Sequence, residues 1–354
     1  MERYIAIDNV CAWPNLTQMP DGAIVATIFN QPCHGQWEGD VECWGSEDGG
    51  RTWRLRGTAA PHEPGTNRMN VAAGLAHNGD LVILASGWNH RPVKGQVSGF
   101  GHPARRLPPW VCRSADGGRT WTIDKSPNAV RLPFGMDRED GDSLLFKPIG
   151  DIVQVPGGRL TASFYHDGGS VWMLFSNDDG RTWTESAVIS NHHRGETAIL
   201  RLPSGHWLAA ARTEGEVGGF TPDVGMQLFV STDEGRNWID AGTLTGPSEH
   251  PGHLCALQDG RVLLVYGRRG NDPAFLGLGY RLSSDGGQTW TAPACLLESG
   301  HTPGMVRRDS DGGYPSSVQL ADGSMVTAYY SSCMPHYHDR YHMGVTIWKP
   351  EERQ

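Results

Sequence analysis

The sequence has no apolar run long enough to cross a bilayer, and no stretch in which a helical period competes with strand-like patterning. Its seven cysteines, at 11, 33, 43, 112, 255, 295 and 333, form no CxxC pair, and an odd, scattered set is a poor disulfide framework. Excess positive charge is missing too. The formal net charge is −9, which argues against nucleic acid and anionic membrane as partners. The N-terminal MERYIAIDNV lacks a basic segment followed by an apolar one, so no signal peptide is visible and a reduced, cytoplasmic protein is expected. A chain stripped of its leader would read the same way. No GxGxxG precedes a helix, and no cofactor is expected.

What the chain has in quantity is turn residues: 47 glycines and 23 prolines in 354 residues, which favours many short strands. Its basic residues are mostly arginine, a side chain suited to bidentate contact with carboxylates. One turn occurs five times: SEDGGRTW at 46–53, SADGGRTW at 114–121, SNDDGRTW at 176–183, STDEGRNW at 231–238 and SSDGGQTW at 283–290. The closing tryptophans are 68, 62, 55 and 52 residues apart. Aspartate can accept backbone N–H bonds within such a turn, glycine supplies positive φ, and tryptophan can pack between neighbouring sheets. The turn is therefore expected to build the fold rather than to perform chemistry.

Upstream of each turn lies an apolar strand, a glycine-containing turn and a second apolar strand. These read NLTQMPDGAIVATIF, VAAGLAHNGDLVILASG, DIVQVPGGRLTASFY, TAILRLPSGHWLAAAR and HLCALQDGRVLLVYG, and a sixth copy, SSVQLADGSMVTAYY, follows the last Asp turn. Four antiparallel strands repeated six times imply a single all-β domain over 1–354, a six-bladed β-propeller with five Asp turns. The sixth unit lacks the Asp turn, so its outer strand comes from HMGVTIWKP or from the N-terminal RYIAID.

This topology puts the Asp turns on one face and a ligand mouth on the other, where the inner strands start and their partners end. Aligned on the turn glycines, the inner strands start at Trp13, Asn70, Ile149, Glu196, Pro251 and Tyr314. Their partners end at Phe29, Ser86, Tyr165, Arg212, Gly267 and Tyr330, with Gln31, Trp88, His166, Arg268 and Arg269 just beyond. A mouth rich in aromatic and charged groups suits a sugar that carries an acid. The segment HYHDRYH offers His336, His338, Asp339 and His342 at spacings compatible with a metal. Nothing else points to one, and no metal is expected.

Over nearly its whole length the chain resembles the Asp-box (BNR repeat) sialidase superfamily. That resemblance implies a tyrosine nucleophile assisted by a glutamate, an arginine triad on the substrate carboxylate and an acid/base on a first-blade loop. GETAILRLPSGHWLAAAR is similar to the segment carrying the glutamate and one arginine, which implies Glu196 and Arg212. YGRRG implies Arg269 or Arg268, with strand parity favouring Arg269, and GYPSSVQL implies Tyr314 as the nucleophile. The first-blade loop NQPCHGQWEGD offers Asp40, Glu38 and His34 as proton donors. The family's first arginine has no counterpart, because CAWPNL puts Ala12 in its place; Arg68 or Arg194 stands near another inner-strand start. Gln31, Arg68, Trp88, His166 and Tyr330 complete the expected substrate-binding set. The resulting expectation is an exo-acting, sialidase-like glycoside hydrolase acting on a glycan. Propeller enzymes that cleave rhamnose or uronic acid glycans remain alternatives, including a lyase using Tyr165 and His166, as does a non-catalytic glycan-binding propeller. The oligomeric state stays open.

Overall fold

The structure is a computed structural model that describes residues 1–33, 35, 37–89, 105–131, 147–166, 169–192, 194–213, 224–269, 277–298, 312–331 and 341–350. The described residues form 24 β-strands and no helix, and none of them could cross a membrane as a helix. The strands fall into six antiparallel units. Unit I is β2 (Cys11–Gln18), β3 (Ile24–Phe29), β4 (Val41–Ser46) and β5 (Arg54–Ala60). Unit II is β6 (Asn70–Leu75), β7 (Leu81–Asn89), β8 (Arg105–Ser114) and β9 (Thr122–Asp124), and unit III is β10 (Lys147–Val155), β11 (Arg159–His166), β12 (Ser170–Ser176) and β13 (Glu185–Ser190). Unit IV is β14 (Arg194–Arg201), β15 (Trp207–Thr213), β16 (Met226–Ser231) and β17 (Ile239–Thr243). Unit V is β18 (Glu249–Ala256), β19 (Val262–Arg268), β20 (Gly277–Ser283) and β21 (Ala294–Glu298).

Unit VI takes its strands from both chain ends. β22 (Gly312–Gln319), β23 (Met325–Ser331) and β24 (His342–Trp348) come from the C-terminus, and the N-terminal β1 (Glu2–Asp8) pairs with β24 as the outer strand. Both sequence candidates for the missing strand are therefore used. The first strands pack on one another in the order β2, β6, β10, β14, β18, β22 and back to β2, so the six units close on themselves. Between β6 and β10 the approach is close enough for parallel pairing, Gly150 to Ala72 through Ile152 to Gly74. A Cβ on Gly74 would lie 2.2 Å from the Ile152 carbonyl oxygen, so this contact requires glycine.

The repeated turns hold the units together as the sequence implies. At 46–53, Ser46 Oγ (2.8 Å), Arg51 N (3.0 Å) and Thr52 N (2.9 Å) all donate to Asp48 Oδ1, and Thr52 Oγ1 donates to Oδ2 at 2.7 Å. Donors of this kind hold the turn carboxylates low. The Asn237 side chain is the main cause for Asp233 and the Thr289 hydroxyl for Asp285, and each sits at about 2. The indoles of Trp53, Trp121, Trp238 and Trp290 each donate to a glycine carbonyl three residues back and pack against the neighbouring unit. Trp183 is instead fully buried between units II and III.

At the mouth the inner ladders are irregular. β2, β10, β14, β18 and β22 each shift register against their partners near the strand start, whereas β6 pairs regularly. Bulges leave a residue unpaired and re-aim side chains. Glu196 and Tyr314 both sit inside such irregularities, between Arg194 and Thr197 and between Gly313 and Ser316.

Candidate active site

Tyr314 follows Gly312 and Gly313 at the start of β22. A Cβ on Gly312 would lie 2.8 Å from the Tyr330 carbonyl oxygen, so the strand can come this close only without a side chain. Tyr314 itself has φ of 50°, a left-handed conformation that costs about 1–2 kcal/mol for a residue with a Cβ. Packing holds it there. Trp13 stacks on its ring with centroids 4.9 Å apart and planes at 29°, and Tyr330 is tilted against it at 5.6 Å. Tyr314 is 6% exposed and belongs to an apolar cluster with Ala12, Phe29, Cys33, Met69 and Tyr330.

The Tyr314 hydroxyl donates to Glu196 Oε1 at 2.6 Å. Arg212, near the end of β15, directs Nη1 at both oxygens of the same carboxylate, at 3.2 and 3.1 Å. The Arg269 guanidinium lies 5.6 Å from the Tyr314 ring centroid. Burial by itself would raise Glu196. Arg212, then Lys147, then the Tyr314 hydroxyl outweigh it and hold the carboxyl at about 2. Burial, and then the Glu196 charge, push Tyr314 well above the ordinary phenol value. The pair thus rests as a neutral phenol on an ionised carboxylate. Such an arrangement can pass a proton from oxygen to oxygen when a positive centre approaches the phenol.

Lys147 is a residue the glycine-based alignment passed over. The register shift in β10 between Ile149 and Val153 displaces the strand start, and Lys147 pairs with Tyr165. Its side chain is buried, with Nζ 4.2 Å from the Tyr165 ring centroid. Burial, then Arg106 and Lys147, lower His166 below its ordinary value. The sequence places Trp13 only as a strand start, and its stacking on Tyr314 carries no sequence signal.

The first-unit loop is arranged differently. Asp40 Oδ1 accepts from the backbone N–H of His62 at 2.7 Å and stands 2.6 Å from its Nδ1, while Glu38 lies 3.5 Å from His62 Nε2. Both acids converge on His62, a residue no motif marked. His34 lies outside the described residues, as does the side chain of Arg194. Gln31 donates its amide to Asn30 Oδ1 at 3.2 Å. Trp88 packs against the Tyr314 cluster and donates its backbone N–H to Asn67 at 3.0 Å. Arg268 stands opposite Glu249 in the β18–β19 ladder.

Arg68 does not join the site, contrary to the expectation from its position. It is 2% exposed, stacks 3.4 Å from the Trp110 ring centroid and donates to the Pro108 carbonyl at 2.9 Å. The apolar ring offers the guanidinium a better surface than an open mouth does. Among the described residues no three metal-ligating side chains converge. His342 is buried at the start of β24, and His336, His338 and Asp339 lie outside the described residues. Below Glu196 and Tyr314 the axial cavity is lined by all six inner strands, and Asn15, Asp151 and His253 meet across it. Asn15 Nδ2 donates to Asp151 Oδ1 at 3.2 Å, and His253 Nε2 stands 3.0 Å from Oδ2.

A protein from Dyadobacter fermentans of unknown function has a similar structure, with TM-score 0.77 and 21% identity over 99% of this chain and 98% of that one. Trypanosoma rangeli sialidase, in complex with the inhibitor DANA, matches with TM-score 0.60 and 16% identity over 96% of this chain. This chain spans only 55% of that enzyme. The NanB sialidase of Streptococcus pneumoniae matches with TM-score 0.66 and 12% identity, over 98% of this chain and 70% of that one. At these identities the likeness is one of fold. No protein of curated function matches the sequence. The BNR repeat-like domain model matches residues 110–328, more than half of the sequence, and the chain therefore belongs to the BNR repeat-like domain family, with the fold of the sialidases.

Proposed function

We propose that this chain is a single six-bladed β-propeller acting as an exo-glycoside hydrolase that releases a terminal acidic sugar, sialic acid foremost, from glycans. The observation that carries this reading is the 2.6 Å bond from the Tyr314 hydroxyl to Glu196, with Arg212 on the same carboxylate and Arg269 over the phenol. A carboxylate nucleophile would be repelled by an acid group on the anomeric carbon, whereas a phenol is not. Tyrosine is a poor nucleophile at its free pKa of about 10 and needs a base beside it, a task that fits Glu196.

In this mechanism Tyr314 Oη attacks the anomeric carbon and its proton passes to Glu196. The bond to the leaving oxygen breaks, and that oxygen takes a proton from a first-unit acid. Asp40 is favoured for this task because its Oδ1 stands 2.6 Å from His62 Nδ1, close enough for the two groups to share the proton that is donated, while Glu38 is half exposed. Water then gives a proton to the Asp40 carboxylate and attacks the same carbon, the bond to Tyr314 Oη breaks, Tyr314 recovers its proton from Glu196, and configuration is retained. Arg212, Arg269 and Lys147 supply the positive charge that draws in the substrate acid, with Lys147 compensating for Ala12. Gln31, Trp88 and His166 are assigned to the wall of the sugar pocket, whereas Tyr330, expected there, is fully buried against the Tyr314 ring and supports it instead.

The test is turnover of a 4-methylumbelliferyl sialoside by the wild type and by Tyr314→Phe. Release by the wild type, abolished in the variant, is the expected result. A folded wild type that releases nothing from this or from natural sialylated oligosaccharides sinks the reading. A second reading, a lyase acting on uronate glycans through Tyr165 and His166, is favoured by one observation: Lys147 Nζ stands 4.2 Å from the Tyr165 ring centroid, where its charge would neutralise the uronate carboxylate beside that pair. An unsaturated uronate product, seen by its ultraviolet absorbance, would identify it.

A further inference from the structure

The corner of the mouth between units II and III holds a buried polar group that the reaction does not use. Asn70, at the start of β6, is 1% exposed, and neither its Oδ1 nor its Nδ2 has a hydrogen-bond partner among the described residues. β6 pairs with β7 without a register shift, so Asn70 shares a face with Ala72. Ala72 packs in one cluster with Phe164 of unit III, and Asn70 therefore faces that unit. β11 pairs regularly with β12, so His166 likewise shares a face with Phe164. Asn70 and His166 thus stand together one step nearer the mouth than the packing of Ala72 on Phe164. Leaving a buried amide unsatisfied is unfavourable, and a ligand that supplies the bond removes that cost.

The same corner is positively charged. Arg106 stands opposite Trp88 in the β7–β8 ladder, with its guanidinium 5.7 Å from the indole centroid. Trp88 packs on the Tyr314 cluster, which sets Arg106 at the mouth. Lys147 lies on the other face of unit III, 4.2 Å from the Tyr165 ring centroid. Burial, and then both cations, hold the imidazole of His166 below its ordinary value. Lys147 also acts on Glu196, so Arg106 is the cation particular to this corner. The donors here are a guanidinium, an imidazole and an amide. A carboxylate offers them two oxygens in one plane, whereas a sulfate or phosphate monoester offers three in three directions.

We propose that Arg106, His166 and Asn70 form a subsite for a sulfate or phosphate ester carried by the terminal sugar. Arg106 supplies the charge, and His166 and the Asn70 amide donate to the remaining oxygens. The substrate class is then a sugar with two anionic groups, its acid beside Tyr314 and its ester between units II and III. No bond is made or broken at the subsite. This inference rests on the hydrolase reading for its chemistry, although the subsite binds its oxyanion independently.

Two measurements on the full chain test it. The first is NMR of the histidine side chains with inorganic sulfate or phosphate, against sodium chloride at equal ionic strength. An oxyanion beside Arg106 offsets the two cations, so saturating sulfate is expected to raise the pH at which His166 titrates. Loss of that response in Arg106→Gln, with the other histidine signals unchanged, supports the proposal. No response in the wild type, or the same response in the variant, overturns it. Asn70→Ala keeps both cations and is expected to weaken sulfate binding about fivefold or more; unchanged binding overturns the proposal as well. The second measurement is kinetics on 4-methylumbelliferyl sialosides that carry a sulfate or phosphate ester at each sugar hydroxyl in turn. One ester is expected to raise kcat/KM about tenfold or more over the plain sialoside, and Arg106→Gln to abolish that preference. The preferred member tells sulfate from phosphate. No preference, or one that Arg106→Gln retains, overturns the proposal. A wild type that cleaves no sialoside yet binds sulfate through Arg106 overturns the hydrolase reading and leaves the subsite standing.

Discussion

The Tyr314 hydroxyl donates to Glu196 Oε1 at 2.6 Å across 118 residues of sequence, from the start of β22 to the start of β14. Two inner strands that are not neighbours in the ring meet here through their side chains. Arg212 completes the contact from the second strand of Glu196's own unit. The carboxylate is the common partner, so changes at either end act through it.

Removing the acceptor tests this. Glu196→Gln is expected to lower kcat on a sialoside about 10²- to 10⁴-fold, the usual contribution of a general base. It also removes the buried negative charge that Arg212 and Lys147 face. A stability loss of about 3 kcal/mol is expected in urea, at the lower end for buried pairs because Arg212 is partly open to water. An active, equally stable variant would remove Glu196 from both roles.

Acid should loosen the protein in a defined window. Glu196 falls from an ordinary 4.5 to about 2 in the folded chain: burial opposes the shift, but Arg212 and Lys147 outweigh it. A folded value below the unfolded one means that the unfolded chain binds more protons between them. Stability from this group is therefore complete above about pH 4.5 and is lost as pH falls towards 2. Asp233 and Asp285 add smaller contributions of the same sign. Urea midpoints measured across this range should fall with pH, and less steeply in Glu196→Gln.

Lys147→Met separates attraction of the substrate acid from chemistry. Loss of a buried cation beside Glu196 and His166 should raise KM for a sialoside about tenfold and change kcat by less. The same variant should raise the value at which His166 titrates by NMR, since Lys147 contributes to lowering it. A change confined to kcat would place Lys147 in the reaction rather than in binding.

The Asp turns should behave oppositely. Asp178 accepts from Ser176 Oγ, Arg181 N, Thr182 N and Thr182 Oγ1 at 2.6 to 3.1 Å, far from the mouth. Asp178→Ala is expected to cost about 2 kcal/mol of stability, discounted for the turn's partial exposure, with kcat/KM unchanged at temperatures where the chain stays folded. Activity lost without stability lost would reverse the assignment of these turns to the fold.

The sequence by itself determined the repeating unit. Glycine turns between alternating apolar strands, and five Ser-x-Asp turns ending in tryptophan, need only local chemistry to be read. It also placed Glu196, Tyr314 and Arg212 at equivalent positions relative to their turn glycines, with Arg269 just beyond a strand end, and the family resemblance is what singled these four out. Tertiary structure decided what those offsets could not carry. Bulges at the inner-strand starts aim Tyr314 at Glu196 and extend β10 so that Lys147 reaches Tyr165. Arg68, two residues before the equivalent position at Asn70, is drawn under Trp110 because a planar cation gains more from an aromatic face than from the open mouth. His62 meets Asp40, and Trp13 covers Tyr314, through contacts between segments distant in sequence. Periodicity is a property of neighbours along the chain, whereas which side chains meet at the axis depends on how six separate strands start.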